Sequence, residues 1–121
     1  KRNEGPHENL ERAVGERRAQ EIILSGKPFS AQQAAEWGLV NHVCPAAELL
    51  SVVMETASAI AANAPVAVRQ AKHAIRSGVG MPLAAGLNFE IEAYNRTVTT
   101  ADRREGVAAF NEKRKPDFSG R

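Results

Sequence analysis

The chain has 121 residues, 43% hydrophobic and only 5% aromatic, enough for one small domain whose apolar content rests largely on alanine. Such a composition favours closely packed helices over a sheet core. Sixteen Lys and Arg against fourteen Asp and Glu leave +2, too balanced a charge for a nucleic-acid surface, so nucleic acid is not an expected partner.

Cys44 is the sole cysteine, which excludes an internal disulfide and a thiolate zinc site. No apolar run approaches the roughly 20 residues that span a bilayer, and no secretory signal is legible. The expected location is therefore cytoplasmic, with no membrane partner. The chain begins at Lys1 rather than Met, as an excised piece of something larger would.

Residues 1–8 are polar and carry Gly5 and Pro6, which predicts a flexible lead-in. From Asn9 the pattern turns helical, with Leu10, Ala13 and Val14 on one face and a break at Gly15. A second helix runs from about Glu16 to Leu24, where Ser25 and Gly26 stop it. Ser30 and Gln33 form a capping box for the next helix, and Gly38 is its closing residue. Residues 39–43 (LVNHV) make the one plausible strand. Pro45 suits the first turn of a long helix. There Leu49, Leu50, Val53, Met54, Ala57, Ile60 and Ala61 repeat every 3.6 residues and bury one broad face. Ala64 and Pro65 start another helix, with Val68, Ala71, Ala74 and Ile75 as its apolar stripe and Gly78 at its close. Pro82 opens a helix to about Val98, with Leu83, Leu87, Ile91, Tyr94 and Val98 facing inward. Thr100 caps a final helix that runs to about Lys113. Pro116 prevents its continuation, and residues 117–121 are expected to be loosely ordered. The fold class is all-α, with about seven helices. Alanine-lined faces suit close helix contact, within the chain or between chains, and need a partner if they are not buried internally.

Catalytic groups are hard to find in this pattern. His7 falls in the lead-in and is expected to be disordered, His42 lies in the short extended segment, and His73 lies on a helix surface. They share no metal-ligand spacing, and no metal site is expected. Cys44 reads as a structural thiol. Glu90 and Glu92 point to different helix faces, and Glu90 pairs with Tyr94 at i+4. No two carboxylates are placed as acid and base, and no catalytic residue is assigned. Gly78 and Gly80 lack the strand and third glycine of a phosphate loop. The basic end of the chain is the better lead. Residues 102–121 hold six Lys or Arg and four Asp or Glu, the whole net surplus. Phe110 and Lys113 are three apart and so share a helix face. A ring beside an ammonium group can stack on a base and pair with a phosphate. Equally, cations at a helix C-terminus complement the macrodipole, and Phe110 could be core.

Four segments then resemble one family. Residues 16–31 (ERRAQEIILSGKPFSA) look like the stretch after the catalytic core in enoyl-CoA hydratases. Residues 34–43 (AAEWGLVNHV) are similar to that family's A-x-x-x-G-L-V-N-x-V segment. Residues 64–72 (APVAVRQAK) resemble the helix that follows, and residues 100–116 (TADRREGVAAFNEKRKP) its C-terminal signature. The chain is thereby identified as resembling the enoyl-CoA hydratase/isomerase (crotonase) family, in its C-terminal helical region only. Residues 1–12 form an unmatched lead-in, and residues 13–121 form the helical region.

This resemblance carries specific expectations. The ββα core, with its oxyanion hole and paired glutamates, is absent from this chain. The parent reaction is hydration of a 2-trans-enoyl-CoA to a 3-hydroxyacyl-CoA, with the CoA thioester as substrate and no other cofactor. The helices build a homo-oligomer, a trimer usually paired into a hexamer. The last helix reaches a neighbouring CoA site, where Phe110 and Lys113 match the family's aromatic and lysine near the adenine. Acyl-CoA would bind only together with the missing core. The rival reading is a stand-alone, non-catalytic helical assembly module, including a swapped dimer.

Overall fold

The computed structural model describes residues 6–121, which form seven α-helices and one 3₁₀ turn. They are α1 (Pro6–Val14), α2 (Glu16–Ser25), α3 (Ala31–Glu36), the 3₁₀ turn (Ala46–Glu48), α4 (Leu49–Ala61), α5 (Pro65–Gly78), α6 (Leu83–Val98) and α7 (Ala101–Asn111). The chain divides into two compact units, the second beginning at Leu50.

In the first unit α1 and α2 pack as a helical pair. Helix α1 begins at Pro6, earlier than the expected Asn9. Proline fits there because the first-turn amide needs no partner. The expected flexible lead-in is thus corrected for residues 6–8, and His7 is helical rather than disordered. Residues 1–5 of that lead-in lie outside the described residues. Gly15, at φ 79°, makes the bend between the two helices. Its N–H donates to the Glu11 carbonyl at 2.8 Å, and its carbonyl accepts from the Ala19 amide at 3.0 Å.

Helix α3 opens on the capping box read from the sequence. The Gln33 amide donates to Ser30 Oγ at 3.1 Å, and the Ser30 amide donates to Gln33 Oε1 at 2.9 Å. It closes on Gly38 at φ 75°. The Gly38 amide donates to the Ala35 carbonyl at 3.0 Å and the Leu39 amide to the Ala34 carbonyl at 2.8 Å, which is a Schellman ending. This ending explains why the strand expected over residues 39–43 does not form. The Leu39 and Val40 amides both turn back to the Ala34 carbonyl. No strand exists among the described residues for the segment to pair with. Around this turn Trp37 meets Phe29 at 5.1 Å between ring centroids. The Arg18 guanidinium sits 4.9 Å above the Trp37 ring.

In the second unit α5 and α6 make the main helix pair, and small residues set their spacing. A Cβ added at Gly86 would stand 3.6 Å from the Gly78 carbonyl oxygen, so the backbones approach closely. Ala93 is the buried residue of α6. The faces expected to be inward are mostly open. Leu83, Leu87, Ile91, Tyr94 and Val98 of α6 are all exposed, as are Leu49, Leu50, Val53, Met54 and Ile60 of α4. Helix α4 has no buried residue at all. The helical period was therefore sound and the expected burial was not: among the described residues these stripes stand largely exposed. No single helix among the described residues is long and apolar enough to cross a membrane.

Candidate functional site

The site residues expected from the sequence lie at the end of α7. Thr100 caps this helix as anticipated, its Oγ1 accepting from the Arg103 amide at 3.1 Å. The helix ends at Asn111, with Glu112 as C-cap, two residues before the expected limit. Lys113 follows at φ 54°, the sole non-glycine at positive φ among the described residues. Its amide donates to the Phe110 carbonyl at 3.3 Å, and the Arg114 amide donates to the Ala109 carbonyl at 3.0 Å. This repeats the Schellman geometry of α3, with lysine in the position that Gly38 fills there. The expectation that Phe110 and Lys113 share a face through helical spacing is corrected. They are joined through the turn, by the bond between their backbones. Phe110 is 83% exposed, so it is not a core residue.

The turn is clamped at Arg114, one of the cations of the basic end, by two carboxylates that the sequence pattern does not single out, Glu105 and Glu112. Arg114 Nη2 donates to Glu105 Oε2 at 2.9 Å, and Arg114 Nε donates to Glu112 Oε2 at 2.6 Å. Glu105 Oε1 also accepts from the Asp117 amide at 2.8 Å. The Arg114 hydrogen bond, assisted by the Asp117 amide, pulls the Glu105 carboxyl from 4.5 down to about 2. The same pairing, with Glu112 added, raises the Arg114 guanidinium.

Beyond the clamp the chain runs back along α7, contrary to the loosely ordered end expected for residues 117–121. Asp102 is 2% exposed. Its Oδ1 accepts from the Ser119 amide at 2.7 Å and its Oδ2 from the Gly120 amide at 2.9 Å. Its own amide donates to the Arg121 carbonyl at 3.0 Å. Phe118 lies over Gly106, where an added Cβ would meet the ring at 3.6 Å. A buried carboxylate in the first turn of a helix, bonded to chain amides, is a strong anchor. Asp102 was legible only as a charge near a helix start, because its partners are 17 and 18 residues away.

Two cavities border this region. One, of about 430 Å³, is lined by Ala64, Ala67, Thr97, Arg103, Val107, Phe110 and Phe118 among others. Phe110 therefore forms part of its wall, whereas Lys113 does not line it. The other is a groove of about 950 Å³ along α5 and α6, with Ile75, Leu83, Leu87, Glu90 and Tyr94 in its lining. The expected i+4 pair Glu90 and Tyr94 thus share that face. Gln70 also lines the groove, and its buried Oε1 has no hydrogen-bond partner. His42 and His73 are exposed, and His73 meets the Phe89 ring edge-on at 5.0 Å. Cys44 is half-buried and unpaired. No cluster of His, Cys, Asp or Glu among the described residues could hold a metal ion.

The helical fold, and the signature at its end, match a defined class of proteins. A model of the enoyl-CoA hydratase/isomerase family matches residues 3–121, and the chain belongs to that family. It is 46% identical to the enoyl-CoA hydratase/isomerase family protein YngF of Bacillus subtilis, covering 96% of this chain and 45% of that protein. It is 40% identical to the 2,3-dehydroadipyl-CoA hydratase of Escherichia coli, over 97% of this chain and 46% of the relative. The crystal structure of an enoyl-CoA hydratase from Bacillus anthracis superposes with a TM-score of 0.93 at 44% identity, covering 95% of this chain and 45% of that one. The chain thus spans less than half the length of the relatives it matches.

Proposed function

We propose that this chain is the helical, oligomer-forming and acyl-CoA-covering part of an enzyme that hydrates 2-trans-enoyl-CoA to 3-hydroxyacyl-CoA, and that it is inactive alone. The observation that carries this reading is the state of its apolar surface. Among the described residues the buried apolar side chains are four alanines, while whole leucine, isoleucine and valine stripes on α4 and α6 are open. Apolar area on that scale is stable in water only when something covers it. The orphaned Gln70 oxygen in the α5–α6 groove adds a polar group that a covering surface would satisfy. The sequence similarity supplies the candidate cover, namely the half of the relatives that this chain does not match, together with further copies of the chain.

Phe110 and Lys113 are the residues we assign to the adenosine diphosphate end of CoA. An exposed ring offers a stacking face, and the ammonium three residues further along the chain offers a charge for phosphate. Lysine held in a left-handed conformation is strained, and such strain persists where the surrounding structure imposes it, most often at functional sites. The reading is tested in a chimera in which this chain replaces its matching part of the Bacillus anthracis hydratase. Lys113→Ala is expected to raise KM for crotonyl-CoA about tenfold while kcat changes little. A loss confined to kcat would contradict the assignment.

A further inference from the structure

We propose that Glu105 is a positioning residue for Lys113, acting through Arg114 to hold the lysine in the direction that coenzyme A binding requires. This inference rests on the assignment of Lys113 above. The two Schellman endings in the chain make the case. At Gly38 the residue at positive φ is glycine, which adopts this conformation freely. At Lys113 the same two backbone bonds form around a side chain that disfavours the conformation. Backbone bonds that suffice for glycine leave lysine strained, so a turn of this kind needs further restraint to persist.

Side chains supply that restraint. The residue immediately after Lys113 is gripped on two sides, by Glu105 from within α7 and by Glu112 from the helix cap. Glu105 uses its other oxygen on the Asp117 amide, so one carboxylate fixes the chain both one and four residues past the lysine. A planar guanidinium held by a forked pair has a defined orientation, which a single flexible ammonium contact would lack. Lys113 itself is exposed and is left out of the clamp: the two carboxylates hold Arg114, and the neighbouring ammonium remains available to a ligand. Releasing Glu105 would let the turn relax towards ordinary backbone angles and swing the lysine away.

The experiment is a double-mutant cycle in the chimera, with Glu105→Gln, Lys113→Ala and the pair, read by KM and kcat for crotonyl-CoA and by calorimetric binding of coenzyme A. Glu105→Gln is expected to weaken coenzyme A binding and raise KM about fivefold with kcat nearly unchanged. In the Lys113→Ala background it is expected to cause no further loss, because both changes remove the same contact. If Lys113→Ala weakens binding and Glu105→Gln does not, the positioning role is overturned while the coenzyme A assignment stands. If the two losses add, Glu105 acts through general stability and the role is likewise overturned. If Lys113→Ala has no effect, the coenzyme A assignment itself fails. Arg114→Lys, which keeps the charge but loses the fork, is expected to reproduce Glu105→Gln and decides the matter should that variant not fold.

Discussion

Asp102 and Glu105 occupy successive turns of α7, and each closes the returning end of the chain by a different physical route. Asp102 is buried and bonded to the amides of Ser119 and Gly120. Truncating it leaves those donors without a partner, which costs about 2–3 kcal/mol by the usual price of a charged hydrogen-bond acceptor. Asp102→Ala is therefore expected to lower stability by that amount in a denaturant titration, and Asp102→Asn by less. Glu105 lies nearer the surface, and its contribution follows pH. Its carboxyl is held near 2, below its ordinary 4.5, by Arg114 first and the Asp117 amide second. A depressed folded-state value means the clamp contributes fully above about 4.5 and is lost as pH falls towards 2. The Asp117 amide resonance is expected to titrate with a midpoint near 2. In Arg114→Ala the midpoint is expected to rise towards the ordinary value.

At the scale of elements, the signals that were legible in the sequence are those that act over three or four residues. The Ser30–Gln33 box, the Thr100 cap, the glycine endings and the apolar periods of α4 and α6 all depend on neighbours along one helix turn. The features that were missed depend on distant partners. Residues 39–43 have strand-like composition, but the first two amides, of Leu39 and Val40, are claimed by the end of α3. Residues 117–121 look like a polar tail, but the amides of Ser119 and Gly120 meet the Asp102 carboxylate in the first turn of α7. The end of α7 was misplaced for a subtler reason. A helix that stops on glycine announces itself, and this one stops on Lys113. The candidate pair was thus found by residue type and family resemblance, while its clamp, Glu105 with Arg114, has a nine-residue spacing that no helical period reports. One prediction belongs here. Lys113→Gly relieves the left-handed strain and is expected to stabilise the fold by about 0.5–1 kcal/mol, seen as a raised melting temperature. Coenzyme A binding in the chimera is expected to fall in the same variant, separating stability from function.

For the whole chain, the central fact is the mismatch between apolar pattern and burial. The helices carry wide apolar stripes, yet among the described residues the buried apolar side chains are four alanines. The chain spans less than half the length of the relatives it matches and leaves many of its larger apolar side chains open, and that is the surface the proposed function assigns to covering partners. Light scattering of the purified 121-residue chain, with crotonyl-CoA hydration assayed on the same sample, tests this most directly. The expected result is particles heavier than the 13.0 kDa monomer and no loss of the conjugated thioester absorbance. A stable 13.0 kDa monomer, or hydration that survives removal of contaminants, would contradict it.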